Sequence, residues 1–378
     1  LVKENQENYL YLCAHHLIVD AVSWRIISED IQNSIKQILS GKRIHLPDKT
    51  ASFMQWSKYL QTYKNKANES EVQYWKDVVD KISENYFDID KNTSNVVSKK
   101  VDFKLSKQET NSLLKDAGVA FNTEMNDLLI SALAIAFNKL TKKTSFSIMM
   151  EGHGREELSK EIELDRTVGW FTSMYPVVFE SLGDDYRNTI ISTKETLRHI
   201  PNHGIGYGIW KDNLPIKRPE ILFNYLGEIE SNINSDFNTF GIGGSSSELN
   251  QRLSNISING SIVENQLSFE ISYNASNYPN ELMQEFAKQF KISLIEVINY
   301  CVNVEKPEKT LSDYFVEDLD LQDFKTICNY FKNQGEISNI YSLTPLQEDM
   351  LLQSVINKNS TCYVVQEVFK TKSKFNKS

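Results

Sequence analysis

Cysteine is scarce. The 378 residues hold four, Cys13, Cys301, Cys328 and Cys362, with no CxxC spacing. That pattern suits reduced cytosolic thiols and argues against a disulfide framework or a zinc site. Positive charge is also in deficit: 41 Lys and Arg against 50 Asp and Glu leave a net charge of −9. A general electrostatic grip on nucleic acid or an anionic bilayer is therefore not expected. The longest apolar run, Leu128 to Phe137, is broken only by Ser131 and falls far short of the ~20 residues of a membrane span. The N-terminus has neither a basic region nor a continuous apolar one, so no signal peptide is visible and a cytoplasmic location is expected. Phosphate and metal signatures fail as well. There is no GxxxxGK[ST] and no HExxH; Gly204, Gly206 and Gly208, like Gly241, Gly243 and Gly244, read as loops. No metal is expected.

What is present is the composition of a globular chain, 40% hydrophobic and 24% charged, long enough for two or three domains or one large two-lobed one. Tyr9 to Ala14 reads as a buried strand. Val22, Ile26, Ile31, Ile35 and Ile38 then recur at helical spacing as far as Gly41. Phe53, Trp56, Leu60 and Tyr63 mark a second helix as packing residues, and a third runs from about Glu69 to Val79. After a polar gap at Lys91 to Lys100, Val101, Phe103 and Leu105 alternate as a strand, and Ser106 with Glu109 forms a capping box. Thr123 is placed to cap a helix through Leu140, and Phe146 to Glu151 alternates as a strand. Further strands are predicted at Met174 to Phe179, Ile221 to Leu226, Ile256 to Ile262 and Leu267 to Tyr273, with helices at Tyr186 to Arg198 and Pro279 to Tyr300. The class is mixed α/β. From Val304 to Asn339 the chain turns polar and acidic, and IYSLTPLQEDMLLQSV then opens a new apolar-periodic segment.

Four short segments could carry chemistry. His15, His16 and Asp20 lie at a strand-to-helix junction. In extended backbone adjacent side chains point to opposite sides, so one imidazole enters a cleft while the other packs inward. A helix N-terminus nearby favours the neutral, proton-accepting ring. Asp20 either caps the helix or pairs with a distant Arg. The second segment is Glu151 to Glu156 (EGHGRE), where glycines free a turn around a carboxylate at a strand end. The third is Arg166 to Thr172, and the fourth Phe223 to Gly227. Each alone reads equally as packing.

In this order HHLIVDAVSWRI, NDLLISAL, EGHGRE, RTVGWFTSMYPV and FNYLG resemble the successive motifs of the epimerization domains of nonribosomal peptide synthetases, a branch of the condensation-domain superfamily. The resemblance runs from the start of the chain to about residue 303. It implies an α/β, chloramphenicol-acetyltransferase-like two-lobed fold, with the N-lobe remainder at about 1–100, incomplete at its start, and the C-lobe at about 101–303. Residues 304–339 are expected to be an interdomain linker, and Tyr341 to Met350 look like the opening motif of a following condensation domain at 340–378. Ala21 stands where the family commonly has Gly.

The implied substrate is an aminoacyl or peptidyl thioester on the phosphopantetheine arm of an upstream carrier protein domain, inverted from L to D without a cofactor of the domain's own. Two acid/base groups across a planar enolate are the simplest way to invert such a centre. His16 and Glu151 match the family's two candidates. Asn224 and Tyr225 match tunnel residues, of which alternation lets at most one point into the site. His15, Asp20, Arg155, Gly169 and Trp170 belong to the structural part of the motifs, and the resemblance holds Asp20 in an ion pair. The 378-residue chain alone is expected not to epimerise. A condensation domain would use the same paired histidines to form an amide, and a catalytically silent docking module is the third alternative. EGHGRE and FNYLG discriminate against the condensation domain, and intact His16 and Glu151 argue against the silent module.

Overall fold

Leu128 to Phe137 is buried on every side, which is why that helix shows no polar face in its sequence. It lies in α5 (Met125–Thr141), which packs beside α8 (Asn280–Val302) against one face of a six-stranded sheet. The computed structural model describes residues 2–4, 7–65, 69–83, 85–89, 97–180, 183, 185–228, 252, 254–314, 316, 319–335, 337–357 and 363–370. Gly241, Gly243, Gly244, Cys362 and most of the polar gap after Lys91 lie outside the described residues. The chain divides into two units, Leu1–Glu308 and Lys309–Ser378.

The first unit starts with a hairpin, β1 (Val2–Glu4) and β2 (Glu7–Tyr9), followed by α1 (Ala21–Leu39), α2 (Phe53–Asn65) and α3 (Glu69–Asp80). Then come β3 (Ser98–Lys104), α4 (Lys107–Lys115), α5, β4 (Phe146–Gly152), β5 (Ser173–Phe179), α6 (Tyr186–Arg198) and α7 (Ile205–Trp210). The strands β6 (Ile221–Glu228), β7 (Ile256–Val263) and β8 (Gln266–Asn274) precede α8. Sheet order is β3-β8-β7-β6-β4-β5, with β6 parallel to both β4 and β7 and the other neighbours antiparallel.

Register assigns the two faces. Met150 pairs with Tyr175 and Phe223, and Phe223 with Ile258, so these side chains share the face covered by helices. Met149, Glu151, Leu222 and Asn224 occupy the other face. The alternating strands thus present a helix-packed side and a side free to carry chemistry.

Several expectations need correction. Leu10 and Tyr11 are 53% and 57% exposed and lie in no strand. The hairpin stops at Tyr9 and the edges of the large sheet are β3 and β5. Residues 10–14 therefore have no ladder partner among the described residues, and apolar alternation alone cannot supply one. Glu124, not Thr123, caps α5, because its N–H donates to Asp127 at 2.7 Å, and Asp127 is held from the other side by Arg198 at 2.8 Å. Gly206 and Gly208 lie in α7 rather than a loop. Packing explains Gly206: a Cβ there would sit 1.8 Å from the Glu71 carboxylate.

The second unit carries α9 (Leu321–Phe331) and α10 (Pro345–Ile356), the latter opened by a capping box of Thr344 and Gln347. The division at Glu308 falls inside the polar 304–339 stretch, which itself contains α9. No helix among the described residues is long and apolar enough to cross a membrane.

Candidate active site

Asp20 is the N-cap of α1 and accepts from the Ser23 N–H at 2.7 Å. Arg155 donates through Nη2 to both Asp20 oxygens, at 3.0 and 3.1 Å, and both side chains are only 6% exposed. The other guanidinium nitrogen, Nη1, donates to the carbonyls of Leu164 and Thr167 at 2.8 and 2.7 Å. The Phe171 ring lies 4.1 Å from the guanidinium carbon, and the Phe171 N–H donates to Asp20 at 3.2 Å. One arginine thus stitches the start of α1 to the loop before β5. Burial alone would raise the Asp20 pKa, but hydrogen bonds from Ser23 and Phe171 and the Arg155 charge outweigh it, so its carboxyl sits below the usual aspartate value.

The glycines of this region are there for space. Gly154 has φ +67°, and a Cβ on it would lie 1.7 Å from the Phe171 carbonyl oxygen, so the turn that delivers Arg155 tolerates only glycine. The Ser23 hydroxyl donates to the Gly169 carbonyl at 2.9 Å and accepts from its N–H at 3.0 Å. Arg166 adds an ion pair with Asp30 of α1. This scaffold holds Trp170, 42% exposed, with its ring 5.6 Å from the His16 imidazole.

Glu151 occupies the free face at the end of β4, and Asn224 of β6 donates to its Oε2 at 2.8 Å. Burial raises the Glu151 pKa while the nearby His16 charge lowers it, and the net direction is upward. No hydrogen bond or ion pair joins His16 to Glu151 among the described residues, so each remains available to a third group. Tyr225 points the other way and packs against the core, where burial raises its phenol pKa. His16, Glu151, Asn224 and Trp170 are therefore brought together, and Asp20, Arg155 and Gly169 form the frame behind them.

His15 does not pack inward. It is exposed and its Nδ1 accepts from the Leu17 N–H at 3.0 Å, so the ring caps the short turn His16–Ile18 instead. Phe53 is not simply a packing residue either. It is exposed and, with Trp56 and Leu60 of α2, lines a cleft of about 1070 Å³. Trp170, Met149 and Leu222 line the same cleft. The last two share the sheet face of Glu151 and Asn224, so the cavity runs beside the acid/base groups rather than over them. Ser23 is not singled out individually in the sequence, and Phe53 and Trp56 read there only as packing residues. For Ser23 the signal was its place three residues after a helix-capping aspartate. Among the described residues no group of three or more His, Cys, Asp or Glu could hold a metal ion.

A model of the condensation-domain family matches residues 1–319. The chain belongs to that family, and the six-stranded α/β unit has the chloramphenicol-acetyltransferase-like architecture of its members. It is 36% identical over 379 residues to bacitracin synthase 3 of Bacillus licheniformis, covering 96% of this chain and 6% of that protein. Tyrocidine synthase 1 of Brevibacillus parabrevis is 35% identical over 351 residues, covering 86% of this chain and 32% of the relative. The chain thus spans less than a third of either relative. Among solved structures, the epimerization domain from the third module of tyrocidine synthetase B matches with a TM-score of 0.69 and 33% identity over 77% of this chain and 69% of that one. The first condensation domain of the CDA synthetase gives a TM-score of 0.59 at 14% identity, over 78% and 64%, a likeness of fold alone.

Proposed function

We propose that the chain epimerises an aminoacyl or peptidyl thioester presented on the phosphopantetheine arm of a carrier protein domain, within a nonribosomal peptide synthetase. The observation that carries this reading is the carboxylate of Glu151, raised in pKa and held by Asn224 on the sheet face beside the cleft, with His16 within electrostatic range. The cleft, of about 1070 Å³ and lined by Phe53, Trp56, Leu60, Trp170 and Leu222, has room and apolar walls for a thioester arm.

The chemistry follows from the α-proton. One of the pair, Glu151 or His16, takes the proton from Cα, and the C–H electrons move into the thioester carbonyl to give an enolate. The other delivers a proton to the opposite face, the electrons return to Cα, and the D-configured thioester results. Each turnover leaves the two groups with exchanged protonation, reset by solvent. A carboxylate whose pKa is lifted toward the working pH takes up and returns a proton more readily than an ordinary surface glutamate. His16 could also donate to the enolate oxygen while protonated.

Amide formation at the same histidines is the alternative the family match leaves open. It needs no carboxylate at position 151, and the positioned Glu151 favours epimerisation. The test offers the synthetase carrying this chain an L-aminoacyl carrier thioester, with and without a second carrier bearing a free amine, and resolves the chirality of the released amino acid. Appearance of the D-enantiomer without the amine is the expected result. Amide formation with complete retention of the L-configuration would overturn the proposal.

A further inference from the structure

Glu71 of α3 is 2% exposed and takes no part in the chemistry above. Its Oε2 accepts from the Tyr63 hydroxyl at 2.6 Å, and that hydroxyl in turn accepts from the Asn202 side-chain amide at 2.6 Å. Its Oε1 makes no hydrogen bond among the described residues and faces Gly206, where a Cβ would collide with it at 1.8 Å. One buried carboxylate is thus in contact with α2 through Tyr63 and with the segment 201–210 through Asn202 and Gly206.

Both of those elements are walls of the cleft. α2 contributes Leu60 and Lys64, and the 201–210 segment contributes Ile205 and Ile209. The turn that Asn202 anchors is held in a conformation that non-glycine residues avoid: Asn202 and His203 have φ +46° and +49°. A turn of this kind persists only where its surroundings hold it. The Asn202–Tyr63–Glu71 chain is such a hold, and Gly204, whose position leaves no room for a Cβ against the Tyr175 ring, is the other.

We propose that Glu71, acting through Tyr63 and Asn202, is a positioning clasp that fixes the separation of α2 and the 201–210 segment and so sets how tightly the cleft holds the substrate arm. This rests on reading the cleft as the channel for the carrier-borne thioester. The clasp touches neither the reacting atoms nor His16 and Glu151, so its loss falls on binding rather than on proton transfer.

The test uses Tyr63→Phe, which keeps the ring and removes the hydroxyl, and Asn202→Gly, which accepts the left-handed backbone and removes the amide. Affinity is titrated in the synthetase with a carrier domain bearing an unreactive aminoacyl amide of the arm, and kcat and KM for α-proton exchange are measured with the thioester. Each variant is expected to weaken Kd and raise KM about three- to tenfold, the scale of one lost hydrogen bond, with kcat within about twofold. The double variant should be no weaker than Tyr63→Phe alone, since Asn202 has already lost its partner. Native Kd in Tyr63→Phe, or additive losses in the double variant, would overturn the clasp. So would a fall in kcat that tracks a lowered melting temperature with Kd unchanged. A wild-type protein that does not bind the carrier analogue at all would instead refute the assignment of the cleft.

Discussion

Glu151→Gln should lower α-proton inversion by about 10²–10⁴-fold, the usual contribution of a positioned acid/base group, while leaving the protein folded. The structure gives the second half of that expectation a sign. The folded-state pKa of Glu151 is raised, chiefly by burial. Its stabilising contribution is therefore complete below the ordinary glutamate pKa and is lost as pH rises through the raised value. Glutamine never ionises, and its carbonyl can still accept from Asn224. The variant should thus melt no lower than the wild type at neutral pH, with the difference closing as pH approaches the ordinary glutamate range. Removing His16 acts on the same group in the opposite sense. Without the imidazolium that lowers the Glu151 pKa, the acid limb of any residual rate in His16→Ala should move to higher pH. Wild-type inversion by Glu151→Gln would show that the carboxylate is a bystander.

Arg155→Leu is expected to cost about 3–5 kcal/mol of folding stability, the range for stranding one member of a buried ion pair. Asp20 would keep its burial and lose its arginine partner, and the carbonyls of Leu164 and Thr167 would lose their donor. Here too pH decides. Asp20 has a depressed pKa, so its contribution is present above the ordinary aspartate value and disappears as pH falls through the depressed one. The loss in Arg155→Leu should be largest at neutral pH and shrink in acid, and Asp20→Asn in the same background should recover part of it. Denaturant unfolding at two pH values measures this; a loss independent of pH would mean that the ion pair is not what holds the loop.

The regular parts of the fold were legible in the sequence because they are periodic. The helix Tyr186–Arg198 and the strands β4 to β8 fall close to where the sequence places them, and β8 shows the clearest alternation, with Leu267, Phe269, Ile271 and Tyr273 buried. Legibility stopped where structure depends on a partner distant in sequence. Residues 10–14 read as a buried strand from their own pattern, yet a strand needs a neighbour to supply its hydrogen bonds. Gly206 reads as a loop residue until Glu71 is seen pressed against it. The site shows the same division. The motif resemblance singled out His16, Glu151 and Asn224, but Arg155 as the partner of Asp20 is a contact across 135 positions, and no local rule connects Tyr63, Glu71 and Asn202.

The central claim is that His16 and Glu151 serve opposite faces of one planar intermediate. Its most direct test starts the synthetase separately from L- and from D-aminoacyl carrier thioester in D2O and follows configuration and α-deuterium together. The account predicts convergence on the same mixture from both ends, with the inverted product carrying a single deuterium at Cα drawn from solvent. Retention of each starting configuration with no α-deuterium would contradict it.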